Sequence, residues 1–147
     1  QLVNYIYDYK GTYGTSPSAA PSDHELQQKW DKLPVALQWS NFYCADSVDI
    51  KLRSLGFGAT PPMRLTKEQI ELLAEVEHNR WNMEKLLLGY RKPTPGEEIL
   101  CRDKAVRKEY KNKRFIHTDI RPYAELDEGT KDYDRCISEC LPLVAEQ

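Results

Sequence analysis

Glu77, Arg80 and Glu84 fall on what would otherwise be the apolar side of a long helix. Arg80 follows Glu77 by three residues and precedes Glu84 by four, the spacings at which helical side chains meet, so it can pair with both. A charge buried there without a partner would cost several kcal/mol. The spacing therefore predicts an ion-pair network. Its first reading is structural, fixing how the helix packs, and the sharper one turns one member toward a ligand.

A second helix shows the same habit. Asn41 lies within the apolar stripe Leu37, Ala45, Val48, Leu52 and Leu55, and beside it runs an aromatic stripe of Trp39, Phe42 and Tyr43 flanked by Asp46 and Arg53. Aromatic surface next to an acceptor and a donor suits a planar, hydrogen-bonding ligand such as a nucleobase. It also suits a helix interface in which Asn41 caps a buried backbone group, and that reading comes first.

Residues 102–114 carry seven basic and two acidic side chains, and residues 119–134 net -4. Two solvated faces of opposite charge explain this most simply. An anion site made of Arg107, Lys111 and Arg114 is the competing reading. Nothing marks an enzyme: there is no Gly-rich phosphate loop, no GxSxG and no HExxH. His24, His78 and His117 lack metal-ligand spacing. Cys44, Cys101, Cys136 and Cys140 form no CxxC pair and are expected to be reduced, buried thiols. No cofactor is expected.

These residues need helices to hold them. Ser22 and Glu25 form a capping box that opens a short helix through Trp30, and Pro34 starts a longer one reaching Leu55, ended by Gly56 and Gly58. Thr66 and Gln69 cap the clearest helix, Thr66 to Leu88, with Leu65 and Ile70 as a hydrophobic staple and Gly89 as the stop. Its apolar positions sweep more than half of the helical circumference, which predicts a mostly buried helix. Pro93 to Gly96 reads as a turn, and residues 102–114 as a short exposed helix or loop. Phe115 to Tyr123 reads as one or two short strands, and Thr130 to Leu141 as the last helix. Residues 1–21, with Tyr5, Tyr7, Tyr9 and Tyr13 followed by Gly, Ser, Ala and Pro, read as an arm or linker and not as core.

The 147 residues suffice for one ordinary domain and an appendage. A hydrophobic share of 40% with 30% charged describes a water-soluble globule, and a net charge of -2 excludes a general nucleic-acid binder. No apolar run approaches a membrane span, so no membrane insertion is expected. The chain opens at Gln1, which leads to the expectation of a longer parent protein with a further N-terminal domain.

From Leu73 onward the chain resembles the RyR domain, the repeat named after ryanodine receptors and found also in bacterial proteins. The resemblance is carried by LAEVEHNRWNMEKLLLGY (Leu73 to Tyr90), by Asp119-Ile120-Arg121-Pro122-Tyr123 with Glu125-Leu126, and by Tyr133-Asp134-Arg135. Tyr90 stands where the family usually has Trp. Trp39-Ser40-Asn41, Ala45-Asp46 and Lys51-Leu52-Arg53 are similar to the segment preceding that domain in bacterial members. The resemblance implies a mainly α module with a small β element, cytoplasmic and non-catalytic. Residues 66–147 would be the RyR-like domain and 22–65 a helical extension packed on it.

Two functions follow as expectations. The first is a ligand-sensing or regulatory module for a nucleotide-like small molecule. Asn41, Asp46, His78, Arg80, Trp81, Lys85, Arg121 and Tyr123 would gather around the ligand. Trp81 or Tyr123 would stack on its ring, Asp46 or Asn41 would accept its donors, and Arg80, Lys85 or Arg121 would hold its anionic group. The second is an interaction module, in which those residues are packing and the N-terminal tyrosines mediate homo-oligomer formation or docking to the N-terminal domain.

Overall fold

The computed structural model describes residues 1–57 and 64–145. The chain is mainly α. Its helices are α1 (Leu2–Tyr13), α2 (Asp23–Asp31), α3 (Val35–Asp46), α4 (Val48–Ser54), α5 (Lys67–Leu87), α6 (Pro95–Leu100), α7 (Lys104–Arg114), α8 (Glu128–Glu139) and α9 (Leu141–Ala145), with a 3₁₀ turn at Tyr123–Glu125. Two compact units divide it: residues 1–77 with 128–147, and residues 78–127.

Local signals placed several boundaries correctly. The Thr66 hydroxyl accepts the Gln69 N–H at 3.2 Å, and the Gln69 side chain accepts the Thr66 N–H at 2.8 Å, a reciprocal cap at the start of α5. Ser22 accepts the Glu25 N–H at the start of α2. Gly89 and Gly56 take the left-handed conformation after α5 and α4, as stop positions do. Gly58, the other expected stop, lies outside the described residues.

In the first unit, α1 packs against α8, α2 and α3. Leu2, Val3 and Ile6 join Leu26, Cys44, Cys136, Ile137 and Cys140 in one buried cluster. The reading of residues 1–21 as an arm outside the core is thus corrected. Leu2, Val3 and Ile6 form one helical face, and Gly14 closes the helix with its N–H on the Lys10 carbonyl. The tyrosines form a ladder along it, Tyr5 to Tyr9 at 5.7 Å and Tyr9 to Tyr13 at 4.5 Å. After the helix, Pro17 is buried and Ser16 bonds Glu139 and the Cys136 sulfur of α8. A second cluster, Val48, Leu52, Leu73 and Leu141, joins α4, α5 and α9.

The long helix expected from Pro34 to Leu55 is broken at Ser47. Its hydroxyl donates to the Cys44 carbonyl at 2.7 Å, and its N–H turns to the same oxygen. Such back-bonding bends helices. Helix α5 departs from expectation in another way. Leu73, Ala74, Glu77, His78 and Glu84 are buried, whereas Leu72, Val76, Met83, Leu87 and Leu88 are exposed. The buried stripe follows the polar residues, so the wide apolar arc overstated the burial.

In the second unit, Cys101, Tyr110 and Ile116 form a buried cluster, with Val106 packed against it. Thr94 to Gly96, read as turn, in fact starts α6. The Thr94 hydroxyl accepts the Glu97 N–H and the Glu97 carboxylate accepts the Thr94 N–H, a T-x-x-E box hidden behind two prolines. Arg91 grips that carboxylate through two bonds of 2.7 Å and, ahead of the Thr94 N–H, holds its pKa down to about 2.

No strand forms among the described residues. The expected strands over Phe115 to Tyr123 reduce to an isolated parallel bridge between Arg91 and Ile116. Phe115 ends α7 in the left-handed conformation, φ 55°, and the Ile120 and Arg121 N–H groups turn back onto His117 and Asp119. That spends locally the bonds a strand would offer a neighbour.

Candidate functional site

The polar charges of α5 are paired as their burial requires. Arg80 Nη1 reaches Glu84 Oε2 at 2.8 Å, and Lys85 Nζ reaches the other oxygen at 2.9 Å. Glu77, 0% exposed, pairs with Lys51 of α4, itself 1% exposed, and accepts the Tyr7 hydroxyl at 3.4 Å. Lys51 was not singled out from the sequence as a pairing or site residue. Its signal was its place among Cys44, Val48 and Leu55, at helical spacing on the apolar stripe.

The second unit gathers most of the expected ligand residues. His78 stacks on Trp81 at 5.7 Å and lies 6.0 Å from Tyr123, while Lys85 sits over Trp81 at 5.5 Å. Both His78 Nε2 and Asn82 Nδ2 meet the Arg121 carbonyl, at 2.9 and 3.0 Å. The Arg121 guanidinium bonds the Thr118 carbonyl and Glu98, each at 2.7 Å. Arg80, Lys85 and Arg121, the cations expected to hold an anion, therefore each engage a carboxylate, and Tyr123 is buried. Asn41 and Asp46 belong to the first unit. Asn41 is buried and donates to the Leu37 carbonyl at 2.7 Å, and its Oδ1 has no hydrogen-bond partner among the described residues. Asp46 is exposed.

A different cluster of cations is unpaired. Lys104, Arg107, Lys108 and Lys111 recur at i, i+3, i+4 and i+7, one face of α7. They line a cavity of about 310 Å³ together with Ile116, His117, Thr118 and Asp119. None of the four cations has an ion pair among the described residues. Arg107 and Lys111 are thus shared with the anion site weighed from the sequence. Arg114 lies instead over the Tyr110 ring at 4.4 Å. Lys104, Lys108 and His117 were missed, although the i, i+3, i+4, i+7 spacing of the basic run was visible.

His117 joins this cavity to the aromatic residues. Its backbone N–H donates to the Arg91 carbonyl at 3.0 Å, and its ring meets Trp81 edge-on at 4.9 Å. Nδ1 accepts the Asp119 N–H at 3.3 Å, so the neutral ring carries its proton on Nε2. Burial pushes its pKa down to about 4. The Asp119 carboxylate opposes this, and Lys111, Lys85 and Arg107 add to it. At neutral pH the site is therefore four cations, one carboxylate and an uncharged imidazole, which favours an anion.

Among the described residues, no helix is long and apolar enough to cross a membrane. The chain matches no family model, no curated protein and no solved structure.

Proposed function

We propose that the chain is a non-catalytic, RyR-like sensing module of the cytoplasm that binds a nucleotide-like small molecule through its anionic group. The supporting observation is the unpaired basic face of α7 along a cavity of about 310 Å³. Like charges at i, i+4 spacing each cost a few tenths of a kcal/mol in a helix. An anion reverses that cost, and the volume lies at the small end of ligand pockets. Trp81 and Tyr90, both ring neighbours of His117, supply aromatic surface for a base. Four buried cysteines without disulfides suit a reducing compartment.

Thermal denaturation with ADP tests the reading. At about a hundred times its dissociation constant the ligand adds roughly 2.7 kcal/mol, and the shift saturates. The double variant Lys104→Glu, Lys108→Glu changes exposed side chains, so it folds and loses the shift. A flat wild-type response to ADP, ATP and pyrophosphate alike would overturn the proposal.

A second reading is an interaction or homo-oligomer-forming module, and the α3 surface favours it. Trp39, Phe42 and Tyr43 are each about half exposed, with Trp39 lying 5.7 Å from Phe42 and 6.1 Å from Tyr43. Tyr5 and Tyr7, by contrast, pack against the core. Sedimentation velocity should then show self-association that Trp39→Ser weakens at least tenfold. A monomer at every concentration removes the homo-oligomer.

A further inference from the structure

The anion cavity contains its own contradiction. Asp119 is its one acidic lining residue, and its carboxylate repels any anion drawn in by Lys104, Arg107, Lys108 and Lys111. His117 stands beside it, Nδ1 lying 3.8 Å from Asp119 Oδ2. Protonation of Nδ1 would exchange the Asp119 N–H bond for an ion pair with that carboxylate, and its single added charge offsets the repulsion. The four cations extend over about 10 Å of helix at 1.5 Å per residue. A single carboxylate cannot engage that length, whereas two linked phosphates carry enough charge and reach to do so.

We propose that the cavity takes a diphosphate group and that the His117 ring binds its second proton, drawn from solvent, more tightly when the anion is in place. The proposal rests on the sensing function above, and it specifies the group recognised and makes its affinity pH-dependent. The groups facing His117 decide the linkage. Trp81 and Lys85 approach from α5, Arg107 and Lys111 from α7, Tyr90 from the segment between, and Asp119 from its own turn. In the free chain the cations and burial together outweigh Asp119 and keep the ring neutral. A bound diphosphate neutralises the cations, which removes one of the two forces holding the proton off, and supplies an acceptor for the imidazolium. The only bond formed is Nδ1–H, its proton drawn from water or buffer. Binding then strengthens as pH falls, because the protonated ring favours the bound form.

NMR titration of the His117 ring in the whole chain, free and saturated with pyrophosphate, reads this directly. The resonance is assigned by its loss in His117→Asn. The expected result is a midpoint raised by one unit or more, a tenfold preference of the anion for the protonated ring. Sulfate, which does not titrate in this range, serves as a second probe and should raise the midpoint less because it spans fewer cations. If pyrophosphate shifts the α7 resonances but leaves the His117 midpoint in place, the proton linkage is wrong and the anion site stands. If no α7 resonance moves, the anion site and the linkage both fall.

Discussion

Lys51→Met should lower the stability of the first unit by about 3–5 kcal/mol, one of the largest single-residue effects expected in this chain. Lys51 and Glu77 are both essentially without solvent access, and they pair directly. Methionine matches the lysine stem in volume, so packing changes little and the loss isolates the charge. What remains is a carboxylate deep in the protein that keeps the Tyr7 hydroxyl but has lost the buried ammonium of Lys51. Urea unfolding followed by helical circular dichroism measures the loss as a fall in the transition midpoint.

The double variant Lys51→Met, Glu77→Gln separates that penalty from the worth of the pair. It removes both charges and keeps an acceptor for Tyr7. Replacing buried pairs by neutral groups is often neutral or favourable, so the double variant should recover most of the stability. If Lys51→Met costs under about 1 kcal/mol, the Lys51 ammonium is not what compensates the buried Glu77 carboxylate.

The second large effect is a dependence on pH. His117 titrates near 4 in the folded chain, against about 6.5 when unfolded. The unfolded chain therefore holds more protons between these values, and stability rises with pH across that window. The contribution is fully present above pH 6.5 and is lost as pH falls toward 4, about 3 kcal/mol in all at 1.36 kcal/mol per unit. His117→Asn has no ring to titrate, while its side-chain oxygen can still accept the Asp119 N–H. At pH 7 the variant should be less stable, since it loses the edge contact with Trp81. On acidification the wild type loses stability faster, so the difference shifts by about 3 kcal/mol in the variant's favour by pH 4. Parallel curves would mean that burial does not hold the ring neutral. Saturating pyrophosphate should flatten the wild-type curve, because the bound anion supports the proton that folding otherwise excludes.

Taken from the sequence alone, the residues within one helix were the most legible. The Thr66 and Gln69 cap, the Arg80 and Glu84 pair and the left-handed Gly89 all rest on groups three or four residues apart, whose geometry any α-helix supplies. The same logic held unread signals, in the T-x-x-E box at Thr94 and the four-cation face of α7. Burial was less legible. Leu87 reads as apolar and is 82% exposed, while Lys51 reads as a surface cation and is closed off from water. Composition shows what a side chain prefers, and packing decides which preference is met.

By itself, the sequence determined a mainly helical chain with charges at paired spacing on an apolar face, because those properties follow from local backbone geometry and periodicity. Only the tertiary structure decided that Glu77 meets Lys51, that α1 belongs to the core, and that Ile116 to Asp119 line a cavity with the basic face of α7. Each of these depends on which distant surfaces pack together. The same burial that sets those contacts also keeps His117 neutral, since transferring its charge out of water costs more than Asp119 returns.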